Sequence, residues 1–539
     1  MLLGAAVATL GINATSIPFG DVTVNTAATQ SVTLTSTGTA PVTVKSAAVT
    51  GRGFTLSGAA FPITLNPRQT ATEEVEFDPS ETGLITGQLA IVSNSSTVPQ
   101  AVIPLSATGI APSFRYTGAP LVSTLPAAGH SVLISRDFFG QTINNLIRRW
   151  SGPATPFPSF PVSTFRFWGV VYWQTLETSG PQPSWTKMDQ TLALAQQNGV
   201  TDFIFTFGRV PQWASTNPTD PCTGAGWVYP GSCDPPQMYA FDDFATSLVQ
   251  RYCGKIRYYE TWNEPNNPGY WNGTKAQLLT VARHLYKIAK DPANCGCKDG
   301  VCSPNGGVNP NQVLMPSISR LNQYNLNWLN SYLAEAGPKY PYADIASFHG
   351  YGATNPEEIA DQVQQFRQTV AVFGLANLPL WNTEASWGEQ TSEVGPDQAS
   401  WLMRYHMIQA TIGVSRFVWF AYDGCNWGTL WSTSDCGNTR AILGLTSPGT
   451  AYPVIETWLT GANLSGCNHY KDGLWACKLT RSGGYYAWML WSASGTSISV
   501  PSSDYLGLTV YRDWQNDVKS LPKSLVVDQM PVLLENHDL

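Results

Sequence analysis

Two glutamates are marked out by their settings. Glu264 sits in Trp262-Asn263-Glu264-Pro265-Asn266, and Glu384 sits in Trp381-Asn382-Thr383-Glu384-Ala385-Ser386-Trp387. Each follows a short β-rich apolar run, 256–261 and 378–383, which places each carboxyl where a buried strand meets solvent. A pair of such carboxyls is what cleavage of a glycosidic bond requires. One must be protonated to donate to the leaving oxygen, and the other must be ionised to attack or stabilise the sugar carbon. A lone glutamate at a strand end is ordinarily a solvated surface group; two of them, flanked by Asn-Glu-Pro and by aromatic residues, argue for chemistry. That chemistry calls for no cofactor. The remaining histidines, His130, His284, His406, His469 and His537, lack paired metal-ligand spacing and read as structural or solvated, so no metal is expected.

Glutamates so far apart in sequence meet only if the fold brings strand ends together. From about 112 to 455 strands alternate with amphipathic helices: runs 162–168, 202–207, 256–261, 313–317, 345–349, 378–383 and 417–421, with a first strand near 132–135. Helical runs lie between them at 188–198, 240–252, 275–290, 356–373 and 398–412. Eight strands with crossover helices predict a closed (β/α)8 barrel. An open doubly wound sheet fits less well, because no Gly-rich phosphate loop follows the first strand and the polar candidates follow many strands rather than one switch point. The missing loop also argues against a nucleotide or redox enzyme.

In such a barrel the C-terminal strand ends converge on one face. Reading them in order gives Arg166, then Arg209 and Trp213, Asn263 and Glu264, His349 and Tyr351, Glu384, and Trp419 and Tyr422. By residue type this is a carbohydrate site. Arg166, His349 or Tyr351 would keep Glu384 ionised by donating hydrogen bonds, while apolar surroundings and a neighbouring carboxylate would keep a proton on Glu264. Trp213, Trp271, Trp387, Trp419, Trp427 and Trp431 are candidate stacking platforms, although with 20 Trp in the chain several must be plain core.

The fourth-strand Asn-Glu-Pro and the seventh-strand Glu resemble the signature of clan A retaining glycoside hydrolases. The runs 262–266 and Asp344-Ile345-Ala346-Ser347-Phe348-His349-Gly350-Tyr351 are most similar to family 39, which includes β-xylosidases, α-L-iduronidases and bacterial exopolysaccharide endoglycosidases. The resemblance implies Glu264 as acid/base, Glu384 as nucleophile and Asn263 on the sugar 2-hydroxyl. Families 5, 30 and 51 share the two glutamates. Double displacement with retention, and carboxyl groups about 5 to 5.5 Å apart, follow from that mechanism. The substrate class is a β-linked poly- or oligosaccharide, with endo-glycanase and exo-acting β-xylosidase action both open; a non-catalytic carbohydrate-binding or cell-surface scaffold is the alternative.

Residues 1–111 read as short alternating strands separated by turns, an antiparallel sandwich. The stretches 16–22, 35–42, Phe77-Asp78-Pro79 and Leu105-Ser106-Ala107-Thr108-Gly109 resemble the immunoglobulin-like repeats of the abnormal-spindle/hydin type, which implies a spacer or weak binding module. Alternation returns over 456–539, as in Tyr485 to Trp491, and predicts a small β-sandwich packed on the barrel. The whole is therefore a multidomain chain: 1–111 an Ig-like sandwich, 112–455 a (β/α)8 TIM barrel, 456–539 a second sandwich.

Composition narrows the partners. Charged residues are only 12 % of the 539, aromatic residues also 12 %, and the formal net charge is −7 with no long basic run. Nucleic acid and anionic membrane surfaces are disfavoured, no apolar run is long enough to span a bilayer, and a monomer is favoured. Ten cysteines suggest disulfides and an exported protein, secreted or periplasmic, with the apolar start at 1–8 a trimmed signal segment or a first strand. Cys222 with Cys233, Cys425 with Cys436 and Cys467 with Cys477 read as local staples. The pairing among Cys253, Cys295, Cys297 and Cys302 stays open, with disulfides favoured over a metal-thiolate cluster.

Overall fold

In a computed structural model the protein is described over residues 6–121, 125, 132–144, 146, 154–169, 171–223, 229–387, 395–423, 427–432 and 444–538. Eight short strands form one parallel sheet: β1 (Phe139–Gln141), β2 (Thr164–Phe167), β3 (Asp202–Thr206), β4 (Tyr258–Glu260), β5 (Gln312–Leu314), β6 (Ala346–His349), β7 (Leu380–Ala385) and β8 (Arg416–Trp419). β8 pairs with β1, and a parallel bridge from Leu314 to Ile345 joins β5 to β6, so the sheet closes into a barrel. This is the (β/α)8 architecture, flanked by β-rich units on both sides.

Alternation along each strand sorts side chains between two environments. Phe165, Phe167, Phe203, Phe205, Tyr259, Phe417 and Trp419 belong to the large apolar cluster shared with the surrounding helices. Their neighbours of opposite parity fill the barrel in layers. Near the strand starts Asp202 accepts from Arg416 at 2.7 Å, and the Arg416 guanidinium stacks 4.2 Å from the Trp381 ring centroid. Above it Ile204, Leu314, Ile345 and Val418 make a small apolar layer. Highest are Arg166, Thr206, Glu260, Ser317, Ser347, His349 and Thr383, all buried and all polar.

The helices are held by capping and by burial. Lys275–Lys290 opens with Thr274, whose hydroxyl accepts from the Gln277 N–H at 3.2 Å while Gln277 accepts from the Thr274 N–H at 2.8 Å, the S/T-x-x-E/Q pattern. It buries Leu278, Leu285 and Ala289 against the barrel. Two helices carry no strong sequence signal. Gln323–Ala334 contains three Asn, a weak helix former, and is held by Leu326, Leu329, Tyr332 and Leu333 in the core. Ser447–Leu459 contains Pro448, Gly449 and an internal Pro453, yet buries Ile455 and Trp458; it runs across residue 455, so the boundary drawn there from sequence falls inside an element.

The first barrel strand also differs from expectation. Val132–Leu133 pairs antiparallel with Asn463 and Leu464, at the edge of the C-terminal sheet, and the barrel begins instead at Phe139-Gly140-Gln141. A three-residue strand with a glycine at its centre offers no apolar run; only its parallel neighbours define it.

The N-terminal strands form a four-stranded and a five-stranded sheet enclosing Val32, Leu34, Val42, Val75, Phe77, Leu89 and Leu105. At the other end a seven-stranded sheet buries both faces. Trp475, Cys477 and Leu479 point to the barrel cluster, whereas Leu474, Ala476 and Leu490 pack with Val500 and Val527 beyond. Among the described residues four disulfides are present: Cys222–Cys233, Cys253–Cys295, Cys297–Cys302 and Cys467–Cys477. The second and third resolve the pairing that spacing left open; Cys425 and Cys436 lie outside the described residues. No described helix is long and apolar enough to cross a membrane.

Removing the carboxylate from the buried pair at the base should cost far more than the same change at the surface. Asp202→Ala leaves the Arg416 cation buried and is expected to lose about 3–5 kcal/mol. Asp189→Ala, at a pair whose side chains are 44 % and 42 % exposed, should lose no more than about 1 kcal/mol. Denaturant unfolding of the two variants checks the contrast.

Candidate active site

At the upper end of the barrel one arginine organises the side chains around it. Arg166 is fully buried on β2 and points inward. Its Nε donates to Glu260 Oε2 at 2.8 Å, Nη1 to Glu384 Oε2 at 2.6 Å and Nη2 to Asn263 Oδ1 at 2.9 Å. Glu260, the last residue of β4, accepts also from Thr206 Oγ1 at 2.7 Å and from Ser317 Oγ and Thr383 Oγ1, each at 2.5 Å. Burial opposes its charge, but Arg166, His349 and these hydroxyls outweigh burial and hold the carboxyl well below the usual range.

The two glutamates of the sequence motifs come together here. One oxygen of Glu264 and one of Glu384 lie within 4.8 Å of each other, with a ring nitrogen of His349 inside the same radius. Irregular backbone aims both carboxyls. A register shift on β7 between Asn382 and Ala385 lets successive residues face inward, Thr383 to Glu260 and Glu384 to Arg166. Beyond β4, Glu264 adopts a left-handed backbone with φ +45°, held by its N–H donating to Ser317 O at 2.9 Å. Such a conformation costs a non-glycine residue about 1–2 kcal/mol, which the surrounding bonds must offset.

Charge in this pocket is closely balanced. His349, the last residue of β6, places Nδ1 2.9 Å from Glu264 Oε1 and Nε2 3.9 Å from both Glu260 Oε1 and Glu384 Oε2. Burial alone would keep the imidazole neutral; Glu384, Glu260 and Glu264 overcome it and raise its pKa to about 9, so it is a cation at neutral pH. Tyr351 donates to Glu384 Oε1 at 3.2 Å. Burial raises the Glu384 pKa; the Glu264 charge adds to this, while His349 and Arg166 pull the other way. Two cations thus face three carboxyls, and the cluster is neutral when one carboxyl holds a proton. The apolar wall expected around Glu264 is instead, on one side, the His349 ring.

The structure therefore brings Arg166, Asn263, Glu264, His349, Tyr351 and Glu384 into one hydrogen-bonded group. The aromatic candidates separate. Trp427 is half-buried and meets Tyr351 edge-on, with centroids 5.2 Å apart. Trp419 is fully buried: strand parity turns it outward with Phe417, its indole N–H donates to Gly428 O at 2.6 Å, and it packs on Trp387. Tyr422 is also buried, stacked on Trp431. Trp213 donates to Glu177 O at 2.9 Å, and Trp271 packs on Trp262.

Residue type and position had not singled out Glu260, Trp168, Tyr172 or Tyr270. Tyr172 and Tyr270 each have a ring centroid 5.2 Å from the Arg209 guanidinium, with Trp168 at 5.9 Å. Glu260 had a legible signal: a charge inside an apolar strand must be paired.

Among the described residues two groups have metal-like ligand spacing. In the cluster of Asp220, Cys222, Cys233 and Asp234 the sulfurs are joined as a disulfide, which removes the thiolates. In Glu264, His349 and Glu384 the imidazole is held as a cation, which removes its lone pair as a ligand, and Arg166 bonds Glu384 Oε2.

The comparisons agree with this architecture. Residues 6–101 match the family model described as abnormal spindle-like microcephaly-associated, ASPM-SPD-2-Hydin. The fold is similar to that of a family 39 glycoside hydrolase from Bacteroides cellulosilyticus WH2, at 13 % identity and TM-score 0.51, over 98 % of this chain and 99 % of that one. A family 39 β-xylosidase from Caulobacter crescentus aligns at 16 % identity and TM-score 0.49 over 76 % of this chain and 98 % of its own. A glucosidase from Croceicoccus marinus aligns at 13 % and 0.49 over 76 % and 97 %. No curated protein matches the sequence.

The raised Glu384 pKa has a consequence for stability. A carboxyl whose native pKa exceeds its unfolded value binds protons more tightly in the folded state, so stability falls as pH rises through the window between the two. Glu384→Gln is therefore expected to melt no lower than the wild type at neutral pH, with the difference shrinking as pH falls toward the ordinary glutamate pKa of about 4.3. Calorimetry across that range checks it.

Proposed function

We propose that this chain is a retaining glycoside hydrolase that cleaves β-glycosidic bonds of a poly- or oligosaccharide by double displacement. The observation that carries the reading is the facing pair Glu264 and Glu384, with oxygens within 4.8 Å at the open end of a barrel. That spacing fits attack by one carboxylate and proton donation by the other. The fold shared with a family 39 hydrolase supports it.

Glu384 is the nucleophile in this reading. Arg166 and Tyr351 donate to both of its oxygens, which orients it for attack, and Glu264 supplies the proton of the step. Glu264 gives that proton to the leaving oxygen as Glu384 attacks the sugar carbon, forming a glycosyl ester. With Glu384 thereby neutralised, Glu264 accepts a proton from water, and the resulting hydroxide displaces Glu384. Asn263, oriented by Arg166, is placed to bond the sugar 2-hydroxyl. Trp427 beside Tyr351 offers an aromatic face for the sugar. The four disulfides support an exported protein, and the N-terminal sandwich serves as its spacer or as a weak binding module.

Glu384→Gln should abolish turnover of an aryl β-glycoside while leaving sugar binding intact; unchanged hydrolysis refutes the nucleophile. Glu264→Ala should lose about 10²–10⁴-fold on a glycoside with a poor leaving group and much less on one with an activated leaving group, because only the former needs the proton. On the acid side, kcat/KM should fall as Glu384 is protonated, with a midpoint above the ordinary glutamate value of about 4.3. A midpoint at or below that value contradicts the assignment.

A further inference from the structure

Glu260 touches no position where a sugar would react, yet it is the most heavily bonded carboxylate near the site. Four side chains donate to it: Arg166 from β2, Thr206 from β3, Ser317 from the segment after β5 and Thr383 from β7. His349 on β6 faces it at 3.9 Å. All six side chains are buried. Packing alone does not call for a charge here, because a neutral polar residue would satisfy the three hydroxyls. A carboxylate at this place matters through Arg166, which divides its donors between Glu260, with Nε at 2.8 Å, and Glu384, with Nη1 at 2.6 Å.

We propose that Glu260 is a positioning residue of the reaction: by drawing charge and donors of Arg166 toward itself, it keeps Glu384 basic enough to attack the sugar carbon. The inference rests on the glycosidase reading above. Without Glu260, the Arg166 and His349 cations would bear on Glu384 and Glu264 alone. Glu384, bonded by Arg166 and Tyr351 and facing His349 and Glu264, would be held as a more stable and less reactive anion. A shared arginine avoids this, since its attraction is divided between two carboxylates. Against the cost of burial, Arg166, His349 and the Ser317 hydroxyl keep Glu260 ionised.

The test is the pH profile of aryl glycoside hydrolysis by Glu260→Gln, with folding checked by calorimetry. The acid limb should move to lower pH by about one unit while the plateau kcat falls roughly tenfold. Glu260→Asp keeps the charge and should leave the acid limb in place, whatever it does to kcat. A merely structural role predicts lost activity with the limb unmoved, and that result, or an upward shift, overturns the proposal. If Glu260→Gln does not fold because Arg166 is left unpaired, the comparison is made in an Arg166→Met background. Arg166→Met alone should raise the acid limb, and Arg166→Met/Glu260→Gln should coincide with it because the shared cation is gone; a lower limb in the double variant overturns the route through Arg166. Failure of the glycosidase reading looks different: the wild type itself then turns over no glycoside, and both proposals fall together.

Discussion

A guanidinium with no access to water must be met on every side, and Arg166 is met by Glu260, Glu384 and Asn263. Its desolvation is tolerable only if each partner is held in close hydrogen-bonding geometry. Those partners come from β4, the segment just beyond it, and β7, and the partners of Glu260 add β3 and the segment after β5. One buried cation thereby ties residues from widely separated parts of the chain into a single geometry. The apolar layer below it and the Asp202–Arg416 pair at the base supply the rigid platform.

This arrangement spends local stability on position. Glu264 and Arg209 both have left-handed backbone, at φ +45° and +52°, at the ends of neighbouring strands. Glu384 is buried as a carboxyl whose charge its environment only partly compensates. A barrel selected for stability alone would fill its upper layer with apolar side chains, as it does one layer below; the polar layer stands instead at the end where strand termini converge. Capped helices such as Lys275–Lys290, the C-terminal sheet packed against the barrel cluster and the disulfides offset that local cost.

Much of this was legible in the residues, and the exceptions share a cause. Glu264, Glu384, Arg166, His349 and Tyr351 were found because a polar residue at the end of an apolar run is rare and informative, and the structure gathers all five. Glu260, the last residue of β4, was passed over, and only its pairing with Arg166 explains it. Trp419 sits at a strand end of the right type, but parity sends it into the helix layer, and parity depends on a register that sequence spacing alone does not fix. The three-residue β1 and the Asn-rich helix Gln323–Ala334 carry little local propensity, and their tertiary neighbours form them.

Facing carboxyls make a stereochemical statement that no inventory of contacts can replace. Proton NMR of the sugar released in the first turnovers, recorded before mutarotation, reports the anomeric configuration directly. Hydrolysis of a β-glycoside by Glu264 and Glu384 as an attacking and donating pair predicts that the β-anomer appears first, with net retention. An α-anomer appearing first would mean that water, and not Glu384, attacks the sugar, and would contradict the account at its centre.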